Sequence, residues 1–291
     1  MSQLGALLFD GLVLGSSYVL VALGLTMIYG ILRVLNIAHG DIFMVGAFVG
    51  VVITARAGLN YGLGMVGAII VCALLALIVE RIAVRPIRRG PELGTLMSTL
   101  AISVILENLA LIIFGGDPLY LNTAFLTFFI HLGGISFSAQ RLLIVLVAIA
   151  LVATVYGFLR WTDAGKALRA VSQEPEAASL MGINVNLIIA VTFMIGFGLA
   201  GLAGVLMGPI LLVSPFMGQA VTLKAFAIIV LGGFGNVNGA IIAAFIIGIA
   251  ESLTAGYLSG AWSDSLAFII LILVLLIRPT GLVRERVEQN I

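Results

Sequence analysis

The chain has 291 residues, 62% hydrophobic and 9% charged, with a net charge of +1 and a mean hydropathy of +1.26. This composition excludes an ordinary soluble domain, and without a basic excess it gives no nucleic-acid footprint. Repeated apolar stretches of about 20 residues predict an all-α, polytopic helical membrane protein, and the short alternating strands of a β-barrel are not visible.

The first apolar run, 7–29, has no Lys or Arg before it and lacks a clear small-residue cleavage site, so it reads as a retained span. A break, RVLNIAHGD (33–41), separates it from the run 37–55. The run 61–80 holds the single cysteine, Cys72, which reads as packing, and ends at Glu80, beside Arg81 at a membrane edge. Glu107 and Asn108 sit in the middle of the run 93–114. Residues 115–138 contain no basic side chain and ample turn chemistry, which suits a short surface helix, with His131 as an interfacial histidine. The run 139–159 leads into a polar island, RWTDAGKALRAVSQEPEAASLMGINVN (160–186). Four more runs follow at 187–209, 221–233, 239–257 and 265–277. Lys224 lies early in the second of these, and Glu251 late in the third. A second break, GGFGNVNG (232–239), falls between those two. The expectation is one transmembrane domain over 1–291, with about eight to nine spans and some broken or re-entrant segments.

Charge orients the spans. Ten of the fourteen basic residues fall in three groups: Arg81, Arg85, Arg88 and Arg89; Arg160, Lys166 and Arg169; Arg278, Arg284 and Arg286. Basic residues favour the cytoplasmic side, and span parity lets all three groups lie there together. The same parity puts 115–138 and the N-terminus outside.

The island therefore sits in cytoplasmic water. Ser172 and Glu174 suit a helix cap, Pro175 the first turn and Gly182 the stop, giving a short helix over 172–182. So short a helix is marginal alone and needs a packing partner. No nucleotide-binding loop accompanies it, because Lys166 follows Gly165 but Arg160 stands where a Walker A motif needs its first glycine. His39 and His131 are too few for a zinc site.

Glycines at Gly11/Gly15, Gly46/Gly50, Gly204/Gly208 and Gly235/Gly239 have the i,i+4 spacing of close helix contacts. Both breaks carry an Asn followed by a Gly that opens an apolar run, a pattern an internal repeat would leave. Non-helical backbone at membrane depth must line protein or water. Asn36, His39, Asp41, Glu107, Asn108 and Glu251 are accordingly the candidate translocation-path residues, with packing or ion pairing as the competing role for each.

Three stretches in order resemble the LivH-type permeases, membrane subunits of bacterial branched-chain amino acid ABC importers. They are GLTMIYGILRVLNIAHGDIFMVGAFVG (24–50), GKALRAVSQEPEAASLMGIN (165–184) and LGGFGNVNGAIIAAFIIGIAE (231–251). The likeness continues through LILVLLIRPTGL (271–282). The resemblance implies a multi-pass subunit of the bacterial inner membrane that is not itself an enzyme. It implies as partners a homologous second permease, two cytoplasmic ATPases that use ATP and Mg, and a periplasmic substrate-binding protein, with membrane lipid around the spans. It also makes 165–184 the loop that docks on the ATPase. The contacts carried over are Glu174, Glu176, Ala177, Ala178, Leu180, Met181 and Gly182, with Arg169 flanking. Amide and urea permeases belong to the same wider group. A lone secondary transporter or channel has the same composition, but no need of the 172–182 helix.

Overall fold

A computed structural model describes residues 2–88, 90–132, 135–258, 260–278 and 282. Arg89, Arg284 and Arg286 of the basic groups, and 279–281 of the closing motif, lie outside the described residues. The first half comprises α1 (Ser2–Leu32), α2 (His39–Val51), α3 (Tyr61–Val79), α4 (Glu92–Phe114), α5 (Ala124–Thr127), β1 (Phe129–Leu132) and β2 (Ile135–Ser138). The second comprises α6 (Ala139–Trp161), α7 (Asp163–Gln173), α8 (Pro175–Leu180), α9 (Val185–Met207), α10 (Met217–Gly232), α11 (Val237–Tyr257) and α12 (Gly260–Ile277). Each of the nine apolar runs forms a helix. Seven are long and apolar enough to cross a membrane, while α10 and the apolar part of α12 are shorter.

The bundle is built around α1, which packs against α11, α9, α6 and α10. Small residues allow this. A Cβ on Gly11 would stand 2.6 Å from Ile249 Cα, and one on Gly15 would stand 2.7 Å from Phe245 Cδ1. Between α2 and α9 the backbones nearly touch, since a Cβ on Gly46 would overlap the Gly201 carbonyl oxygen. Gly46→Leu should therefore destabilise the bundle by about 3 kcal/mol, the upper range for overpacking. Thermal unfolding of the purified protein in detergent measures this, and an unchanged midpoint would refute the close contact.

Gly204 of the third pair is also buried against α2, beside Phe43 and Ala47. The fourth pair is not a pair on one helix. Gly235 lies in the turn before α11 with φ +77°, because the Asn236 side chain caps α11 by accepting from Gly239 N–H at 2.9 Å. Asn36 does no such capping, as α2 starts without a side-chain cap. The two Asn-then-Gly breaks thus do different local work.

Two further expectations change. The surface helix expected within 115–138 is one turn, α5, followed by an antiparallel hairpin running from Phe129↔Ser138 to Leu132↔Ile135. Ile135-Ser136-Phe137-Ser138 alternates with period two, the strand pattern rather than the helical one. His131 pairs with Ser136 in this register. Glu80, expected at a membrane edge, is instead 2% exposed and forms an ion pair with Arg85, its carboxylate 3.5 Å from Arg85 Nε. The helix widens there, with Arg85 N–H reaching back five residues to Glu80 O at 2.7 Å, and this brings position 85 beside position 80.

At the end opposite the basic groups, Gln140 joins three elements. Its Nε2 donates to Tyr61 Oη at 2.8 Å and to Leu206 O at 2.7 Å, and Tyr61 Oη donates to Val205 O at 2.9 Å. Arg141 pairs with Asp10 beside it, tying the starts of α6 and α1.

Candidate translocation and coupling sites

The polar island folds as two helices rather than one. Thr162 Oγ1 accepts from Gly165 N–H at 3.0 Å and starts α7, which runs to Gln173. Gly165, Leu168 and Val171 form its buried edge, three residues apart, and dock it on the bundle. At its exposed start Lys166 hydrogen-bonds Asp163 at 2.9 Å and so holds that carboxyl below its usual range. Ser172 is consequently inside α7, its hydroxyl bonded to Arg169 O at 2.8 Å, and caps nothing. Glu174 separates the two helices, and its side chain makes no capping bond.

Pro175 opens α8 as expected, and Gly182 stops it with φ +86°. Gly182 N–H bonds Ser179 O at 3.0 Å, and Ile183 N–H bonds Ala178 O at 3.1 Å, a paired closure that only a left-handed residue permits. Among the expected docking residues Ala178 alone is buried, holding α8 to the bundle. Arg169, Glu174, Glu176, Ala177 and Gly182 are exposed. Leu180 and Met181 are 88% and 83% exposed, an apolar pair displayed at the tip of a fixed helix.

The first break places its polar groups inside the bundle. His39, fully buried, bonds through Nε2 to Val21 O at 3.0 Å and packs edge-on against Phe197. Ile37 is held between two helices, its N–H donating to Thr99 Oγ1 at 3.3 Å and its carbonyl accepting from Thr222 Oγ1 at 3.4 Å. The inward face of α4 is Thr95, Thr99, Ser103, Glu107 and Ala110, a stripe of mostly polar residues flanked by the half-buried Ile102, Leu106 and Phe114. α4 packs against α2, whose first turn holds the buried Asp41. The structure thus buries Asp41 and Glu107 on two helices that touch, buries Asn36 at the start of the same break as Asp41, and leaves Asn108 outside, exposed and bonded to Val104 O.

Glu251 belongs to a different cluster. It accepts from Lys224 Nζ at 2.6 Å and from Tyr18 Oη at 2.8 Å, while Lys224 also reaches Tyr18 Oη at 3.2 Å. All three are buried, joining α10, α11 and α1. Tyr18 is invisible to sequence reasoning, because it lies 233 and 206 positions from its partners. The α4 stripe is different: polar residues at 95, 99, 103 and 107 have helical spacing and could have been read directly. Among the described residues no three His, Cys, Asp or Glu side chains gather as a metal site requires.

A helical bundle with broken spans and a fixed helix at its basic end defines a membrane permease fold. That fold is shared with PsaBC from Streptococcus pneumoniae, solved in complex with a Fab, at a TM-score of 0.55 and 14% identity. The match covers 96% of this chain and 93% of that one. Residues 7–275 match the family described as branched-chain amino acid transport system / permease component, and the chain belongs to that family. It is 37% identical to the high-affinity branched-chain amino acid transport system permease protein LivH of Escherichia coli K12, over 97% of this chain and 96% of the relative. It is 36% identical to BraD of Pseudomonas aeruginosa, with the same coverage, and 32% identical to a probable LivH of Methanocaldococcus jannaschii, over 96% and 90%.

Proposed function

We propose that this chain is the permease subunit of an ATP-driven importer of branched-chain amino acids, resident in a bacterial inner membrane. It pairs with a second, homologous permease, and two cytoplasmic ATPases use ATP and Mg below it. A periplasmic binding protein delivers substrate from the other side. The observation that carries the coupling role is the tip of α8, where Leu180 and Met181 are exposed outside any membrane span. A lone carrier has no use for such a pair. Nucleotide drives the cycle through its different contacts with the two conformations, drawing α8 and its counterpart together and rocking the bundles. Asn36, His39, Asp41 and Glu107 line the path through this subunit.

Proteoliposomes test this reading. The assembled permease and ATPases should accumulate leucine when loaded binding protein and Mg-ATP are supplied on opposite sides, and the purified chain alone should not. ATP-independent uptake by the chain alone would establish a lone carrier instead. Preferential uptake of an amide or urea would reassign the substrate.

A further inference from the structure

Three spans leave a crevice between them at membrane depth. Ile69 and Ala73 of α3, Thr154 and Phe158 of α6, and Gly198 and Leu202 of α9 line a space of about 390 Å³. It exists because α6 packs chiefly on α1 and α7, whereas α9 packs on α3. Gly198 and Leu202 are buried at its floor, while Ile69 and Thr154 are exposed at its rim. The lining is apolar apart from one hydroxyl, Thr154 Oγ1, which already bonds Ala150 O at 2.8 Å. On α6 the lining lies in the cytoplasmic half of the span and ends at Phe158. Arg160 and Trp161 follow at once, both exposed. Arg81, exposed too, follows the α3 wall on the same side. No carboxylate forms an ion pair with Arg160 or Arg81 among the described residues.

The lining decides what can enter. A free amino acid would bury its ammonium and carboxylate here without partners, a large desolvation cost. An apolar chain has no polar group to satisfy, and at this depth the surrounding medium is hydrocarbon. Such a chain gains nothing hydrophobic by leaving lipid for protein. It does gain the dispersion contacts that an empty crevice forfeits. The mouth adds charge to this. Arg160 stands two residues beyond Phe158, next to Trp161, an aromatic of the kind that settles at headgroup level. The group complementary to an arginine at that level is the phosphate of an anionic lipid.

We propose that the crevice between α3, α6 and α9 is a binding site for an anionic phospholipid of the cytoplasmic leaflet, one acyl chain lying in it and the phosphate at Arg160. The site borders the coupling loop, since α6 and α9 are the two spans that α7 and α8 connect. The test places the full-length permease, purified with its partner subunits, in vesicles containing phosphatidylglycerol with a photoreactive group midway along one chain. Phosphatidylcholine with the same chain runs in parallel. Labelled positions are mapped by mass spectrometry. Phosphatidylglycerol should label the crevice residues above Leu146 and Ile149, which are exposed on α6 outside it. Gly198→Leu should lose most of this label, because a side chain there grows toward Ile69, whose Cγ2 lies 3.5 Å from the Cβ position. Ala73→Leu fills the space from the facing wall and should do the same. Arg160→Gln should reduce the preference for phosphatidylglycerol over phosphatidylcholine about fivefold, the worth of one basic side chain at an anionic surface. Equal labelling inside and outside the crevice overturns the proposal in favour of a bulk lipid shell. Unchanged labelling in both filled variants also overturns it. A crevice left unlabelled while Leu146 and Ile149 react overturns it in favour of a covering subunit. An unchanged lipid preference in Arg160→Gln overturns the headgroup contact.

Discussion

Replacing Leu180 and Met181 together by aspartate is expected to cut ATP-driven uptake about thirtyfold or more, the loss that follows removal of an interface anchor worth about 2 kcal/mol. The bundle should fold and insert as before, since both side chains are almost fully exposed and contribute little to its core. The apolar pair is held in one direction by two things, Ala178 buried beneath it and the backbone closure at Gly182. Gly182→Val should act on the second. A β-branched residue at φ +86° costs about 1–2 kcal/mol and turns the tip away from its receiver. Glu174→Gln should be milder than either, because that side chain caps nothing and matters only through its charge at the contact. Uptake and retention of the ATPases through purification are measured on the same preparation. Full uptake with undiminished ATPase retention in the double variant would sink the coupling role of α8.

The second large effect lies at the buried triad. Lys224→Met leaves Glu251 charged and uncompensated among α1, α10 and α11, and should cost about 3–5 kcal/mol of stability. Adding Glu251→Leu removes the stranded charge and should recover most of that loss. Tyr18 then loses its acceptor, at a cost of about 1–3 kcal/mol, which Tyr18→Phe should relieve. Denaturation of the single, double and triple variants in detergent completes the cycle. If the single and double variants unfold alike, the two charges do not act as a pair, and the triad is three separate contacts.

Much of this architecture is legible in the chain itself. All nine apolar helices follow from the apolar runs, seven of them long enough to span, and the position of α8 follows from Pro175 and Gly182. What local pattern could not supply was α7. Its start depends on Thr162 bonding Gly165 three residues on, and its dock on Leu168 and Val171 finding the bundle. Ser172 looked like a cap because its type suits one, yet the helix was already running through it. The close contact of Gly46 was readable from spacing, whereas its partner Gly201 was not, because spacing along one helix says nothing about the helix opposite. The candidate path divides the same way. Glu107 and Glu251 are equivalent as letters, each an acid in an apolar run. Only the fold puts one in the buried stripe of a helix that touches α2 and sets the other against Lys224.

That last pairing bears on energetics at the scale of the whole membrane. A single charge carried across the bilayer couples to voltage by about 2.3 kcal/mol per 100 mV. Lys224 and Glu251 sit 2.6 Å apart on two helices packed together, so any tilt of α10 with α11 displaces plus and minus as one. The electric field across the membrane therefore does no net work on this pair. Its charges can stiffen the moving core without making its motion a voltage sensor.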